Sequence, residues 1–120
     1  MTGRIVLIED DPDIAALIAD VLTDVGHQVD VRADLADSAP DNDVELVITD
    51  LVAIRSYDPQ AARDWIARVR VMFPNAAVIV STAHAPAGAA GPAALGADAV
   101  LTKPFDIGSF TEAVESLLGR

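Results

Sequence analysis

A chain of 120 residues, of which 52% are apolar, has room for one packed domain and is too hydrophobic to be disordered. Its formal net charge of −11 disfavours nucleic acid and anionic membranes as partners, because both are bound through basic patches. The absence of cysteine excludes disulfides and thiolate metal sites. The chain shows neither a signal-peptide pattern nor an apolar stretch long enough to span a membrane, so we expect a cytoplasmic protein.

The first part of the chain contains two strand patterns separated by a helical pattern. Arg4–Ile8 is a nearly continuous apolar run, which is typical of a strand buried on both faces of a sheet. The pair Asp11-Pro12 predicts a helix start, with the aspartate as cap and the proline in the first helical position, and Gly26 should end that helix. Alternating polar and apolar residues then predict a half-exposed strand, and we expect His27, at its start, to lie at the surface.

A short helix and a second buried strand are predicted next. Residues 34–42 have room for a helix of only one or two turns, because a proline interrupts the pattern. The stretch 45–51 predicts a buried strand, because four apolar or β-branched residues lead directly into Asp50. A second aspartate–proline pair, Asp58-Pro59, predicts the start of another helix.

The last part of the chain continues the alternation. The helix after the second aspartate–proline pair carries Trp65 on its apolar face, so we expect this side chain in the core. Strands are predicted at 76–81 and 99–102. The segment between them, 85–96, is almost wholly alanine, glycine and proline, which permits at most a short helix at Pro92–Leu95. A final amphipathic helix closes the chain.

Five alternations of strand and helix predict a parallel sheet with helices on both faces. The polar side chains that follow the strands should therefore meet at one edge of the sheet: Glu9 and Asp10, Asp50, Ser81 and Thr82, Thr102 and Lys103. Crowded carboxylates repel one another, and either protonation or a cation must relieve the repulsion; oxygen ligands at an acidic site suit Mg²⁺. Lys103 is the only lysine among eight basic residues. A metal, a carboxylate, a hydroxyl and a lysine are what phosphoryl transfer to an aspartate requires.

The order of these groups resembles the receiver domain of two-component response regulators. An acidic pair, an aspartate, a threonine and a Lys-Pro pair each follow a strand, and the resemblance extends from Ile5 to Leu118. Residues 96–105, Gly-Ala-Asp-Ala-Val-Leu-Thr-Lys-Pro-Phe, are especially similar to the fifth-strand signature of that family. The resemblance implies one receiver domain over 1–120 with a flavodoxin-like (βα)5 fold, strand order 2-1-3-4-5, a short second helix and a weak or short fourth helix.

The resemblance also implies a role for each site residue. Asp50 would be the phosphoacceptor, Thr82 would donate its hydroxyl to the phosphoryl group, and Lys103 would pair with a phosphoryl oxygen. The implied donor is a histidine kinase or a phosphotransfer protein, and a downstream protein of unknown identity would receive the signal. The domain would be no enzyme in the usual sense, although it would assist its own phosphorylation and dephosphorylation. Four oxygen donors would hold the implied Mg²⁺: Glu9, Asp10, Asp50 and the backbone carbonyl of Val52.

Departures from the family pattern keep an alternative open. Ile54 stands where the family usually has a proline, which would loosen the loop after Asp50, and Val100 stands where it has an aromatic switch residue. Val100 and the weak fourth helix favour a receiver-like interaction module that acts independently of phosphorylation, whereas the complete set of site residues favours phosphorylation. The acidic pair Glu9 and Asp10 could also serve only to charge the N-terminus of the first helix. A flavin carrier is disfavoured because the chain has no glycine-rich phosphate loop.

Overall fold

Five parallel strands form one sheet in the order β2-β1-β3-β4-β5. This computed structural model describes residues 3–32, 35, 40–50, 58–82, 91–103 and 106–118. The flavodoxin-like strand order that the family resemblance implied is confirmed. The strands are β1 (Arg4–Ile8), β2 (Gln28–Arg32), β3 (Leu46–Thr49), β4 (Ala77–Thr82) and β5 (Ala99–Thr102).

Within the described ranges, four helices connect or follow these strands: α1 (Pro12–Asp24), α2 (Pro59–Met72), α3 (Pro92–Leu95) and α4 (Ile107–Leu118). Both predicted aspartate caps are confirmed. The Asp11 carboxylate accepts hydrogen bonds from the N–H groups of Asp13 (2.9 Å) and Ile14 (3.2 Å). The Asp58 carboxylate does the same at the start of α2. None of the helices in this part of the chain is long and apolar enough to cross a membrane.

The ends and the lengths of the helices also follow from local sequence. Gly26, just after α1, has a φ of 98°, a left-handed conformation that glycine adopts without strain. The helix predicted at Pro92–Leu95 is present as α3 and is a single turn long. The helix predicted within 34–42 and the residue Ile54 are not tested, because 36–39 and 51–57 lie outside the described residues.

The core has two layers, one on each face of the sheet. Ile5 and Leu7 of β1 belong to the cluster that packs against α1 and α4, while their neighbours Val6 and Ile8 face α2 and α3. The alternation follows from the period of two along a strand. Every residue of β3 is buried, as expected for a central strand, and Trp65 of α2 lies in the core as predicted. Each such apolar side chain contributes about 1.5–3 kcal/mol to folding.

The predicted surface position of His27 is wrong. Its side chain is buried, because the turn after α1 returns the chain beneath α4. The N–H of Gly3 donates to Nδ1 of His27 at 3.1 Å, so Nδ1 is unprotonated and the ring proton is on Nε2. Nε2 then donates to the carboxylate of Glu115 in α4 at 2.8 Å. His27 thus links the start of the chain to the last helix.

Candidate functional site

The strand register brings the predicted site residues to one edge of the sheet. Ile8 of β1 is the partner of Thr49 of β3, so Glu9 and Asp50 emerge side by side. The N–H of Asp50 donates to the carbonyl of Ile8 at 2.9 Å, which extends the ladder by one step. Between β4 and β5, the N–H of Lys103 donates to the carbonyl of Thr82 at 2.7 Å, just after the last paired residues of these strands.

Three carboxylates form an acidic cluster at this edge. Glu9, Asp10 and Asp50 each bring one carboxylate oxygen into a group whose atoms all lie within 4.8 Å of one another. Glu9 is buried, Asp50 is half-buried and Asp10 is exposed, so the cluster is open to solvent on one side. A set of oxygen donors with several negative charges matches the ligand preference of Mg²⁺. The residues present therefore fit the implied metal, while Val52, the remaining predicted ligand, lies outside the described residues.

The ammonium group of Lys103 lies between two of these carboxylates. Its Nζ is 2.6 Å from Oε1 of Glu9 and 3.4 Å from Oδ2 of Asp50. The side chain of Lys103 is only 15% exposed and that of Glu9 only 2%, so the Lys103–Glu9 contact is weakly screened by water. The single lysine of the chain thus partly neutralises the acidic cluster from the β5 side.

Burial and neighbouring charges shift the ionisation of this pair. Burial raises the pKa of the Glu9 carboxyl, the hydrogen bond from Lys103 opposes that effect, and the charge of Asp50 adds to it, so the pKa of Glu9 lies above its ordinary value. For Lys103, burial lowers the pKa, but the hydrogen bond to Glu9 and the charge of Asp50 outweigh burial. The pKa of Lys103 is therefore raised, which keeps the ammonium charged at neutral pH.

Thr82 is the last residue of β4 and is fully buried. Its neighbour Ser81 is also buried, and within the described part of the chain the Ser81 hydroxyl has no hydrogen-bond partner. Pro104, which follows Lys103, lies outside the described residues.

Thr49 and Trp65 form a contact to the site that the sequence analysis did not identify. The hydroxyl of Thr49 donates to the backbone carbonyl of Asp50 at 2.7 Å, and the indole Nε1 of Trp65 donates to the same hydroxyl at 2.8 Å. A sequence signal existed, because Thr49 is a polar residue at the end of an apolar strand, next to Asp50.

Comparisons with known proteins place this arrangement in a family. The chain matches no protein-family model. It is 35% identical over 125 residues to the transcriptional regulatory protein TcrA of Mycobacterium tuberculosis, with 98% of this chain and 46% of the relative covered. The chain thus spans about half the length of the curated relatives that it matches. A response regulator receiver protein from Burkholderia phymatum has a structure with TM-score 0.72 and 26% sequence identity, covering 98% of this chain and 95% of that one.

The chain is similar in sequence and in fold to response regulator receiver domains. The receiver domain of a sensor histidine kinase from Pseudomonas aeruginosa has the same fold, with TM-score 0.74, 21% identity and all of both chains covered. That structure has a magnesium ion coordinated in its active-site cleft. Receiver domains are signalling domains, and the acidic edge described above is where this one carries its candidate site.

Proposed function

We propose that this receiver accepts a phosphoryl group on Asp50 in a Mg²⁺-dependent reaction and signals through altered binding to another protein. One observation carries the proposal. The Lys103 ammonium lies between the buried Glu9 and Asp50, in a position to meet new negative charge that arrives at Asp50. Withdrawing an ammonium from water is costly, and the two carboxylates offset that cost, so a positive charge is retained beside Asp50.

The cluster of Glu9, Asp10 and Asp50 supports Mg²⁺ as the cofactor. The proposed ligand set also includes the backbone carbonyl of Val52. A bound Mg²⁺ would supply the positive charge that offsets both the repulsion among the carboxylates and the charge of the phosphoryl oxygens. The magnesium ion in the Pseudomonas aeruginosa receiver supports the same assignment.

In the proposed reaction, a carboxylate oxygen of Asp50 attacks the phosphorus of the donor. A new O–P bond forms while the donor's P–N or P–O bond breaks, and the bonding electron pair leaves on the donor atom. Lys103 remains protonated and pairs with a phosphoryl oxygen, while the hydroxyl of Thr82 donates to another. The domain thus promotes its own modification and its later hydrolysis without acting as an enzyme on other substrates.

The donor would be a histidine kinase or a histidine phosphotransfer protein. We treat residues 1–120 as one receiver domain, whose downstream partner is a protein rather than nucleic acid. The net charge of −11 supports that choice. The regulatory activity in the name of TcrA belongs to that protein, of which the chain matches about half.

The proposal is tested by the intact mass of the protein after incubation with Mg²⁺ and a small-molecule acyl phosphate. We expect one added phosphoryl group in the wild type, and none in Asp50→Asn or in the presence of a chelator. If the wild type gains no mass under conditions where a control receiver does, phosphorylation is excluded as the function.

A phosphorylation-independent interaction module is the second candidate. Val100 favours it, because this half-buried valine packs on the α2–α3 side of the sheet and has no ring that could rotate in response to the site. Identical binding of a captured partner by the wild type, the phosphorylated protein and Asp50→Asn would select this candidate.

A further inference from the structure

We propose that Thr49 and Trp65 are positioning residues that hold the backbone of the phosphoacceptor and couple it to helix α2. The coupling consists of two hydrogen bonds in series. Indole Nε1 of Trp65 donates to the hydroxyl of Thr49 at 2.8 Å, and that hydroxyl donates its own proton to the carbonyl of Asp50 at 2.7 Å. The bonding capacity of a threonine hydroxyl allows this arrangement, since it offers one donor and two acceptor sites.

The carbonyl of Asp50 lies one residue beyond the end of β3. The last residue of β3 is Thr49, and the N–H of Asp50 donates to the carbonyl of Ile8 in β1. The Thr49 hydroxyl holds the other end of the residue, because it donates to the carbonyl of Asp50. With both its N–H and its carbonyl held, Asp50 has a constrained backbone, and its carboxylate lies 3.4 Å from the ammonium of Lys103.

The other end of the series reaches the surface of α2. Trp65 is 9% exposed, and the guanidinium of Arg68 lies 5.4 Å from the centre of its ring. Thr49 is fully buried, so its bond with Trp65 is shielded from water and is worth more than it would be at the surface, while its bond to the Asp50 carbonyl is partly buried. A displacement of the Asp50 peptide is thus transmitted to the indole, and through it to the outer surface of α2.

Packing alone does not account for this arrangement. A buried indole N–H needs an acceptor, and a backbone carbonyl would suffice for that purpose. Here the acceptor is a hydroxyl whose own hydrogen bond ends on the residue that carries the chemistry. The idea that phosphorylation is the event transmitted to α2 rests on the proposed function. The positioning of Asp50 by Thr49 and Trp65 does not.

Trp65 is the only tryptophan of the chain, so its emission reports on this contact without interference. The experiment compares the wild type with Thr49→Val, which removes the hydroxyl at nearly the same volume, and with Thr49→Ser, which keeps it. Circular dichroism first establishes that each variant is folded. The two readouts are the Trp65 emission during titration with Mg²⁺ and then acyl phosphate, and the labelling rate from intact mass.

We expect a saturable emission change in the wild type and in Thr49→Ser, and none in Thr49→Val. The indole stays at the same distance from Asp50 in that variant, so a purely through-space effect of charge would survive. Labelling of Thr49→Val should be about tenfold slower, the effect of losing one positioning hydrogen bond. A wild-type response in Thr49→Val, or a loss of response in Thr49→Ser equal to that in Thr49→Val, would overturn the proposal.

Two further measurements keep the outcome unambiguous. If Thr49→Val does not fold, Trp65→Phe takes its place, with an expected severalfold decrease in labelling rate, and labelling at the wild-type rate contradicts the coupling. If the wild type takes up no phosphoryl group, the proposed function fails by itself. The titration of Trp65 emission with Mg²⁺ alone, in the wild type and in Thr49→Val, then decides whether Thr49 couples Asp50 to the indole.

Discussion

The ammonium of Lys103 lies 2.6 Å from the carboxylate of Glu9, across 94 residues of sequence. Both side chains are largely buried, and the carboxylate of Asp50 lies 3.4 Å from the same ammonium. The pair therefore does more than join β5 to β1. It holds a positive charge at the place where the proposed phosphoryl group would add negative charge.

Replacing Lys103 by methionine keeps the volume of the side chain and removes its charge. Glu9 and Asp50 would then face each other without a cation, and we expect a loss of about 2–3 kcal/mol in the free energy of unfolding, measured with urea in the absence of Mg²⁺. Added Mg²⁺ should stabilise Lys103→Met more than the wild type, because it supplies the missing charge. Arg63→Met, which removes an exposed cation on α2, is the matched control. An equal response to Mg²⁺ in Lys103→Met and the wild type would contradict this account of the pair.

The exposed member of the acidic cluster, Asp10, allows the metal site to be tested with little risk to folding. Asp10→Asn keeps an oxygen donor and removes one charge, which should weaken Mg²⁺ binding about tenfold in a calorimetric titration. Asp13→Asn removes the same charge from the first turn of α1, outside the cluster, and should have little effect. Equal losses in the two variants would mean that Mg²⁺ responds to the acidic surface as a whole.

The contacts of His27 predict that this residue contributes to the stability of the fold. His27→Ala would leave the N–H of Gly3 without its acceptor and would create a cavity, so we expect a loss of about 3 kcal/mol in unfolding free energy. Glu115→Gln should cost less than about 1 kcal/mol, because the amide oxygen still accepts from Nε2 and the side chain is half-exposed. A loss in Glu115→Gln as large as that in His27→Ala would show that the charge of Glu115, rather than the packing of the ring, stabilises this contact.

The buried hydroxyl of Ser81 predicts an unusual outcome for an alanine substitution. Since this hydroxyl has no partner among the described residues, Ser81→Ala removes a desolvated polar group and should leave stability unchanged or raise it by about 1 kcal/mol. Thermal unfolding measures the change, with Thr49→Val as the comparison in which a bonded hydroxyl is lost. A clear decrease in the melting temperature of Ser81→Ala would reveal a partner of the hydroxyl, such as a bound water.

The sequence predicts those features that depend on local patterns and on the topology of a parallel sheet. The caps at Asp11 and Asp58 are local, and the convergence of Glu9, Asp50 and Lys103 follows once five strands are known to be parallel. Contacts that depend on how a helix lies over the sheet could not be predicted. The bond between Trp65 and Thr49 depends on the rotation of α2 about its axis, which no pattern in the sequence specifies.

The burial of His27 could not be predicted from local sequence either. A polar residue between a helix and a half-exposed strand is normally at the surface. Here α4, which begins at Ile107, covers it and supplies Glu115 as a partner. Burial of this kind is decided by an element far along the chain.

The central claim is that Asp50, and neither of its acidic neighbours, accepts the phosphoryl group. The most direct test treats the phosphorylated protein with borohydride, which reduces an acyl phosphate to an alcohol, and then locates the modified residue by peptide mass spectrometry. We expect homoserine at Asp50 alone, only in samples that contained Mg²⁺. Modification at Glu9 or Asp10, or at no residue in a sample whose intact mass had increased, would contradict it.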